Sequence, residues 1–114
     1  MSAPKTIGFI GLGQMGEPMC AFICKGDTPV LCYDRVPDRT PEGGTATNGL
    51  AEVVAGADTV FLSLPDGKIV NAVVDDIAAL PNVAGKVIID MSTIGPAAAK
   101  QAAATIEGAG MTYV

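Results

Sequence analysis

The chain has 114 residues, 49% of them hydrophobic and 17% charged, which suits one folded domain with a core of its own. Its formal charge is −5, with seven Lys and Arg and no histidine, which excludes a basic nucleic-acid surface and a histidine-built zinc or haem site. No run of apolar residues approaches the length of a membrane-spanning helix.

Lys5 to Ile10 is a short, mostly apolar run closed by glycine, the pattern of a buried parallel strand. The opening MSAPKTIGFIG carries one lysine and runs straight into that strand, so it lacks the form of a signal peptide. Met15, Met19, Phe22 and Ile23 then share one helical face, with Pro18 in the first turn and Gly26 as the stop. PVLCYD supplies a second strand ending at Asp34, and RVPDRTPEGGTATNG reads as a long polar loop. Leu50 to Ala55 predict a short helix, and TVFLSLP a third strand ending before Pro65. Ile69, Val73, Ile77 and Leu80, flanked by Val70 and Val74, predict a helix stopped by Pro81. KVIID is a fourth strand, Pro96 opens a helix to about Glu107 closed by Gly108, and MTYV begins a fifth strand. The alternation predicts one α/β domain over residues 1–114, a Rossmann-type open parallel sheet with helices on both faces.

Gly11, Gly13 and Gly16 make a G-x-G-x-x-G pattern between the first strand and the first helix. The first glycine permits a tight turn, the second lets a pyrophosphate approach the backbone, and the third brings helix and strand together. Free loop amides and the helix dipole form an anion site needing no cationic side chain, which is how an acidic chain can hold a diphosphate. Asp34 ends the second strand, where a carboxylate accepts both adenosine ribose hydroxyls and repels a 2′-phosphate. That favours NAD, while Arg35 beside it keeps NADP open. Otherwise Asp34 caps a turn and Arg35 faces solvent.

In such sheets ligands cross the carboxyl ends of the strands. Leu64 and Pro65 end the third strand with apolar atoms suited to cover a dinucleotide. Asp90, Ser92 and Thr93 end the fourth, where the two hydroxyls suit a nicotinamide ribose, a carboxamide or a substrate carboxylate; they also suit capping of the helix led by Pro96. Cys20, Cys24 and Cys32 do not make a metal quartet. Cys20 and Cys24 lie one helical turn apart and read as small residues packed near Cys32 or the sheet, and the odd count suits a reducing, cytoplasmic-type compartment. Asp75 and Asp76 are adjacent on a helix, so they point apart and make no acid–base pair.

GFIGLGQMGEPMC, LSLPDG and IDMSTIGP, in that order and spacing, resemble the β-hydroxyacid dehydrogenase family, which includes 3-hydroxyisobutyrate dehydrogenase, tartronate semialdehyde reductase and 6-phosphogluconate dehydrogenase. The resemblance implies that backbone around Leu12, Gly13, Gln14 and Met15 meets the pyrophosphate and that Asp34 selects the ribose. It also implies that Leu64 and Pro65 line the cofactor groove, that Ser92 helps bind a substrate carboxylate and that Thr93 lies nearer the nicotinamide ribose. Two positions depart from relatives: the Asp34–Arg35 pair, where Asn or Arg is frequent, and Ile69, where some members place a polar residue. Family members continue past the position of Val114 into a glycine-rich segment, a catalytic lysine and asparagine, and a helical dimerising domain. By that likeness the chain is the cofactor half of a longer, homo-oligomeric enzyme acting on a small hydroxy acid or oxo acid. No catalytic residue is expected within it, and Lys100 is no substitute for the family lysine. The cofactor half of an imine reductase and a non-catalytic dinucleotide-binding module are the alternatives.

Overall fold

A computed structural model describes residues 6–13, 15–36 and 38–114. Its elements are β1 (Ile7–Ile10), α1 (Gly16–Cys24), β2 (Val30–Tyr33), β3 (Thr45–Ala46), α2 (Leu50–Gly56), β4 (Thr59–Leu62), α3 (Gly67–Ala78), β5 (Val87–Asp90), α4 (Pro96–Gly108) and β6 (Thr112–Tyr113). The strands form one sheet in the order β3-β2-β1-β4-β5-β6, and every neighbouring pair is parallel. This is the α/β Rossmann-type fold, with helices on both faces. The additional strand β3 lies within the segment expected to be loop. It has two exposed residues and no apolar pattern, so its strand character comes from pairing with Leu31 and Cys32 rather than from burial.

Alternation along each strand divides the core between the two faces. Ile10, Val60, Leu62 and Ile88 point to the face covered by α2, α3 and α4, where Val53, Val54, Val70, Val74, Ile77, Ala102 and Ile106 bury against them. Gly8 belongs to this face because a Cβ there would lie 2.6 Å from Val53 Cγ1; the missing side chain lets α2 sit against β1. Phe9, Val30 and Cys32 point the other way and pack with Leu12 and Cys20 beneath α1.

The second face departs from the sequence reading. Of the expected α1 stripe, Met15 is 73% and Phe22 75% exposed, while the buried α1 residues are Gly16 and Cys20. The helix sits close to the sheet, and small residues fill the contact. Its larger side chains border an apolar groove formed by Pro18, Met19, Phe22, Ile23, Phe61 and Met91. Among the described residues α1 is the sole helix on this face, so the groove lies over the β4–β5 half of the sheet.

Two helix ends also shift. α3 finishes at Ala78, ahead of Pro81, because the Ala79 and Leu80 amides close the last turn onto Asp75 and Ile77. α4 includes Gly108, and the chain turns with positive φ at Gly110 instead.

Candidate functional site

The sheet reverses its strand order on either side of β1, whose neighbours β2 and β4 lead away in opposite directions. Crevices for ligands form at such a switch point, outside the carboxyl ends of the strands. Main-chain bonding continues one residue beyond the strands there: Gly11 N–H donates to Tyr33 O at 2.9 Å and Ser63 N–H to Ile10 O at 3.0 Å. The ends of β1, β2 and β4 are thereby held level. A cavity of about 520 Å³ opens above them, within the size range of small-molecule sites.

The three glycines play separate parts in its floor. Gly11 has φ +100°, and a Cβ there would fall inside the contact distance of the Ser63 carbonyl. A Cβ on Gly16 would collide with the Gly11 carbonyl oxygen. Both positions are therefore required to be bare by the protein's own backbone. Gly13 is different: the nearest atom to a Cβ there is Arg39 Nη1, at 3.8 Å. Its side chain is missing from a place where the protein leaves room for one.

α1 begins beside this loop without a side-chain cap; Met15 holds the N-cap position and makes no capping bond. α3 is capped in the usual way, with Asp66 Oδ1 accepting from Ile69 N–H at 2.9 Å. Met15 and Gly16 at the uncapped start of α1 line the cavity, which puts the positive end of the helix dipole beside it. Of the next two residues, Glu17 donates its amide to Gly13 O at 3.0 Å and Pro18 has none.

Asp34 ties the loop to β2. Its Oδ1 accepts the Leu12 amide at 2.8 Å, and its Oδ2 accepts the Val36 amide at 2.8 Å. The second of these is the turn-capping bond that sequence allows at this residue type. Arg39 Nη1 stands 3.5 Å from the same Oδ2, with its side chain 41% exposed against 12% for Asp34. Each carboxylate oxygen has two acceptor positions, so Oδ1 keeps one for another donor, while Oδ2 faces both the Val36 amide and Arg39.

Gly11, Gly13, Met15, Gly16, Asp34, Arg35, Leu64 and Pro65 all line the cavity. Leu12 does not; its side chain is buried in the core under α1 and its amide belongs to Asp34. Gln14 lies outside the described residues. Arg39, Ser63 and Ile69 also line the cavity. Arg39 escaped notice because it sits in a polar loop without periodicity, and Ile69, singled out only as a departure from relatives, otherwise read as part of a core stripe. In fact Val70, Val74 and Ile77 carry the core burial, while Ile69 and Val73 face the cavity.

Ser92 and Thr93 are not part of that lining. Nor does either cap α4, whose N-cap is Gly95 without a side-chain bond. Ser92 instead joins two strand ends, its Oγ accepting the Leu64 amide at 2.8 Å while its own amide donates to Asp90 Oδ1 at 2.9 Å. Asp90 Oδ2 in turn accepts from the Tyr113 hydroxyl at 2.6 Å. Burial, followed by the adjacent Asp90 carboxylate, pushes the Tyr113 hydroxyl above its ordinary pKa. Ser92→Ala leaves the half-buried Leu64 amide without its acceptor and should cost about 1–2 kcal/mol, read from the urea unfolding midpoint.

The model for the NAD binding domain of 6-phosphogluconate dehydrogenase matches residues 6–114. The 2-(hydroxymethyl)glutarate dehydrogenase of Eubacterium barkeri is 34% identical, over all of this chain and 40% of its own length. A solved structure of 3-hydroxyisobutyrate dehydrogenase from Mycobacterium tuberculosis with L-serine superposes with a TM-score of 0.88 at 33% identity, covering 97% of this chain and 39% of that one. An imine reductase from Streptomyces aurantiacus superposes with a TM-score of 0.84 at 26% identity, covering 96% and 39%. The chain thus spans about two fifths of the length of these relatives. It belongs to the family of the 6-phosphogluconate dehydrogenase NAD-binding domain, as an NAD(P)-binding oxidoreductase domain of the β-hydroxyacid dehydrogenase and imine reductase superfamily.

Proposed function

We propose that this chain is the cofactor half of an oxidoreductase that interconverts a β-hydroxy acid with its oxo acid or semialdehyde, using NAD. The observation that carries the reading is Gly13, bare where the protein demands nothing, beside an uncapped helix start and above a cavity of about 520 Å³. A diphosphate fits that combination: the missing side chain allows close approach, and the helix start supplies donors and positive potential. Gly11, Gly13, Met15 and Gly16 would form its cradle. The adenosine ribose would meet the remaining acceptor position on Asp34 Oδ1, and Oδ2 where Arg39 moves aside, with Arg35 beside it. Leu64 and Pro65 would exclude water from the groove. When bound, the nicotinamide supplies the hydride chemistry, and this chain supplies position and electrostatics.

Ser92 and Thr93 would meet the substrate from the end of β5. Ser92 Oγ accepts the Leu64 amide, which leaves its own hydroxyl proton as a donor to a carboxylate. L-serine, named with the mycobacterial relative, is itself a β-hydroxy acid and supports this substrate class. The proton on the substrate hydroxyl would be handled by a lysine beyond Val114, in a helical domain that also makes the homo-oligomer. The apolar groove beside Phe22, Phe61 and Met91 supports further polypeptide covering that face. No helix among the described residues is long and apolar enough to cross a membrane. The three free thiols fit a reducing, cytoplasmic setting.

Cofactor titration tests the choice of NAD. The wild type should bind NAD at least tenfold more tightly than NADP. Asp34→Asn keeps an acceptor for the Leu12 amide while removing the charge, and should narrow that ratio by about tenfold, or roughly 1.4 kcal/mol. A clear wild-type preference for NADP would overturn the role given to Asp34. Assay of the full-length enzyme with β-hydroxy acids and with cyclic imines separates the dehydrogenase reading from the imine reductase one.

A further inference from the structure

A second cluster lies on the sheet face under α1, away from the cavity lining. Cys20 and Cys24 stand one turn apart on α1, and Cys32 faces them from β2. Cys20 Sγ is 3.4 Å from Cys32 Sγ and 4.0 Å from Cys24 Sγ, and all three sulfurs lie within 4.8 Å of one another. All are free thiols; Cys20 and Cys32 are buried and Cys24 half-buried. The helical spacing puts Cys20 and Cys24 on one face and leaves Cys32 or the sheet as what they pack against; the facing of Cys32 on β2 decides between the two.

The backbone opposite the cluster is shaped around it. Gly44, just before β3, passes so close that a Cβ there would lie 2.9 Å from Cys32 Sγ and 3.2 Å from Cys24 Sγ. Gly44 has no positive φ to require glycine; its bareness follows from Cys32 Sγ and Cys24 Sγ together with Thr40 Cγ2, which a Cβ would meet at 3.1 Å. The contact with Cys20 holds the Cys32 pKa below the usual thiol value. The same contact, followed by burial, pushes Cys20 up, and burial pushes Cys24 up.

We propose that Cys20, Cys24 and Cys32 form a three-coordinate thiolate site for Cu(I). Three soft sulfur donors favour a soft cation. A planar three-coordinate ion about 2.3 Å from each sulfur, the ordinary metal–thiolate length, sets the sulfurs about 4 Å apart. The observed triangle needs only sub-ångström adjustment to reach that. Structural zinc takes four ligands, and among the described residues no fourth cysteine, histidine or carboxylate joins the group. Half-buried Cys24, at the end of α1, provides the way in. Each thiol that ligates the ion loses its proton to solvent, and copper keeps its oxidation state.

The test is an anaerobic titration of the fully reduced protein with Cu(I) in competition with bicinchoninate. One Cu(I) per chain is expected, with three sulfur neighbours at about 2.3 Å by X-ray absorption. Cys24→Ala, at the least buried position, should weaken retention at least tenfold. Cu(I) should also raise the thermal midpoint of the wild type, since a ligand that binds only the folded state stabilises it, and raise it less in Cys24→Ala. Cys20→Ala and Cys32→Ala are titrated only after circular dichroism shows them folded. Substoichiometric binding, a two-sulfur site, affinity unchanged by Cys24→Ala, or Zn(II) held in preference to Cu(I) would each overturn the proposal.

Discussion

Gly13→Val is expected to lower dinucleotide affinity by about 100-fold or more, roughly 2.8 kcal/mol, while leaving the thermal midpoint within a few degrees of wild type. The separation between the two effects follows from the space around this residue. A Cβ at Gly13 meets nothing closer than Arg39 Nη1 at 3.8 Å, and the residue has no positive φ for a side chain to strain. The fold therefore tolerates valine. A diphosphate does not, because the branched side chain would occupy the approach to the loop amides at the start of α1, and a displaced phosphate loses donors and dipole together. Isothermal titration with NAD, paired with a melting curve, measures both quantities on one sample. Equal affinity in wild type and Gly13→Val would remove the diphosphate from this loop and with it the proposed function. A large drop in the melting point would show instead that the protein itself needs glycine there.

How far the sequence revealed these features depended on whether each was local. The glycine spacing, the strand ends beside Asp34 and at Asp90, and the right-handed order of elements are local or follow from chirality, so the sheet and its crevice were legible. β4 stops at Leu62, two residues ahead of the expected end at Leu64. β3 was not, because two exposed residues carry no periodicity and pair only once β2 is in place. The α1 face was misread for a related reason. Hydrophobic spacing assumes that a helix buries its largest apolar residues, whereas close packing on the sheet selected Gly16 and Cys20 and left Met15 and Phe22 exposed. Ser92 shows a further limit. Its residue type announced a hydrogen-bonding role, but only the fold reveals that the nearest donor is the Leu64 amide on the neighbouring strand.

Gly11→Ala should behave in the opposite manner to Gly13→Val, losing stability whether or not cofactor is present. Two costs coincide at this residue. Its φ of +100° lies where an L side chain is strained, at about 1–2 kcal/mol. A Cβ would also press into the Ser63 carbonyl at the end of β4, backbone that cannot rotate aside as a side chain can. Relief requires separating the ends of β1 and β4, where Ser63 N–H donates to Ile10 O. Overpacking of this kind costs about 1–3 kcal/mol, so the total comes to roughly 2–5 kcal/mol. Against a typical domain stability of about 5–15 kcal/mol this is a large fraction, and the thermal midpoint should fall by on the order of 10 °C or more. Gly16→Ala should fall in the same direction through its contact with the Gly11 carbonyl. Urea titration of the three variants without ligand would order them: Gly13→Val near wild type, Gly11→Ala and Gly16→Ala well below. If all three lost stability equally, the loop would be one packed unit, and the bareness of Gly13 would no longer point to a ligand.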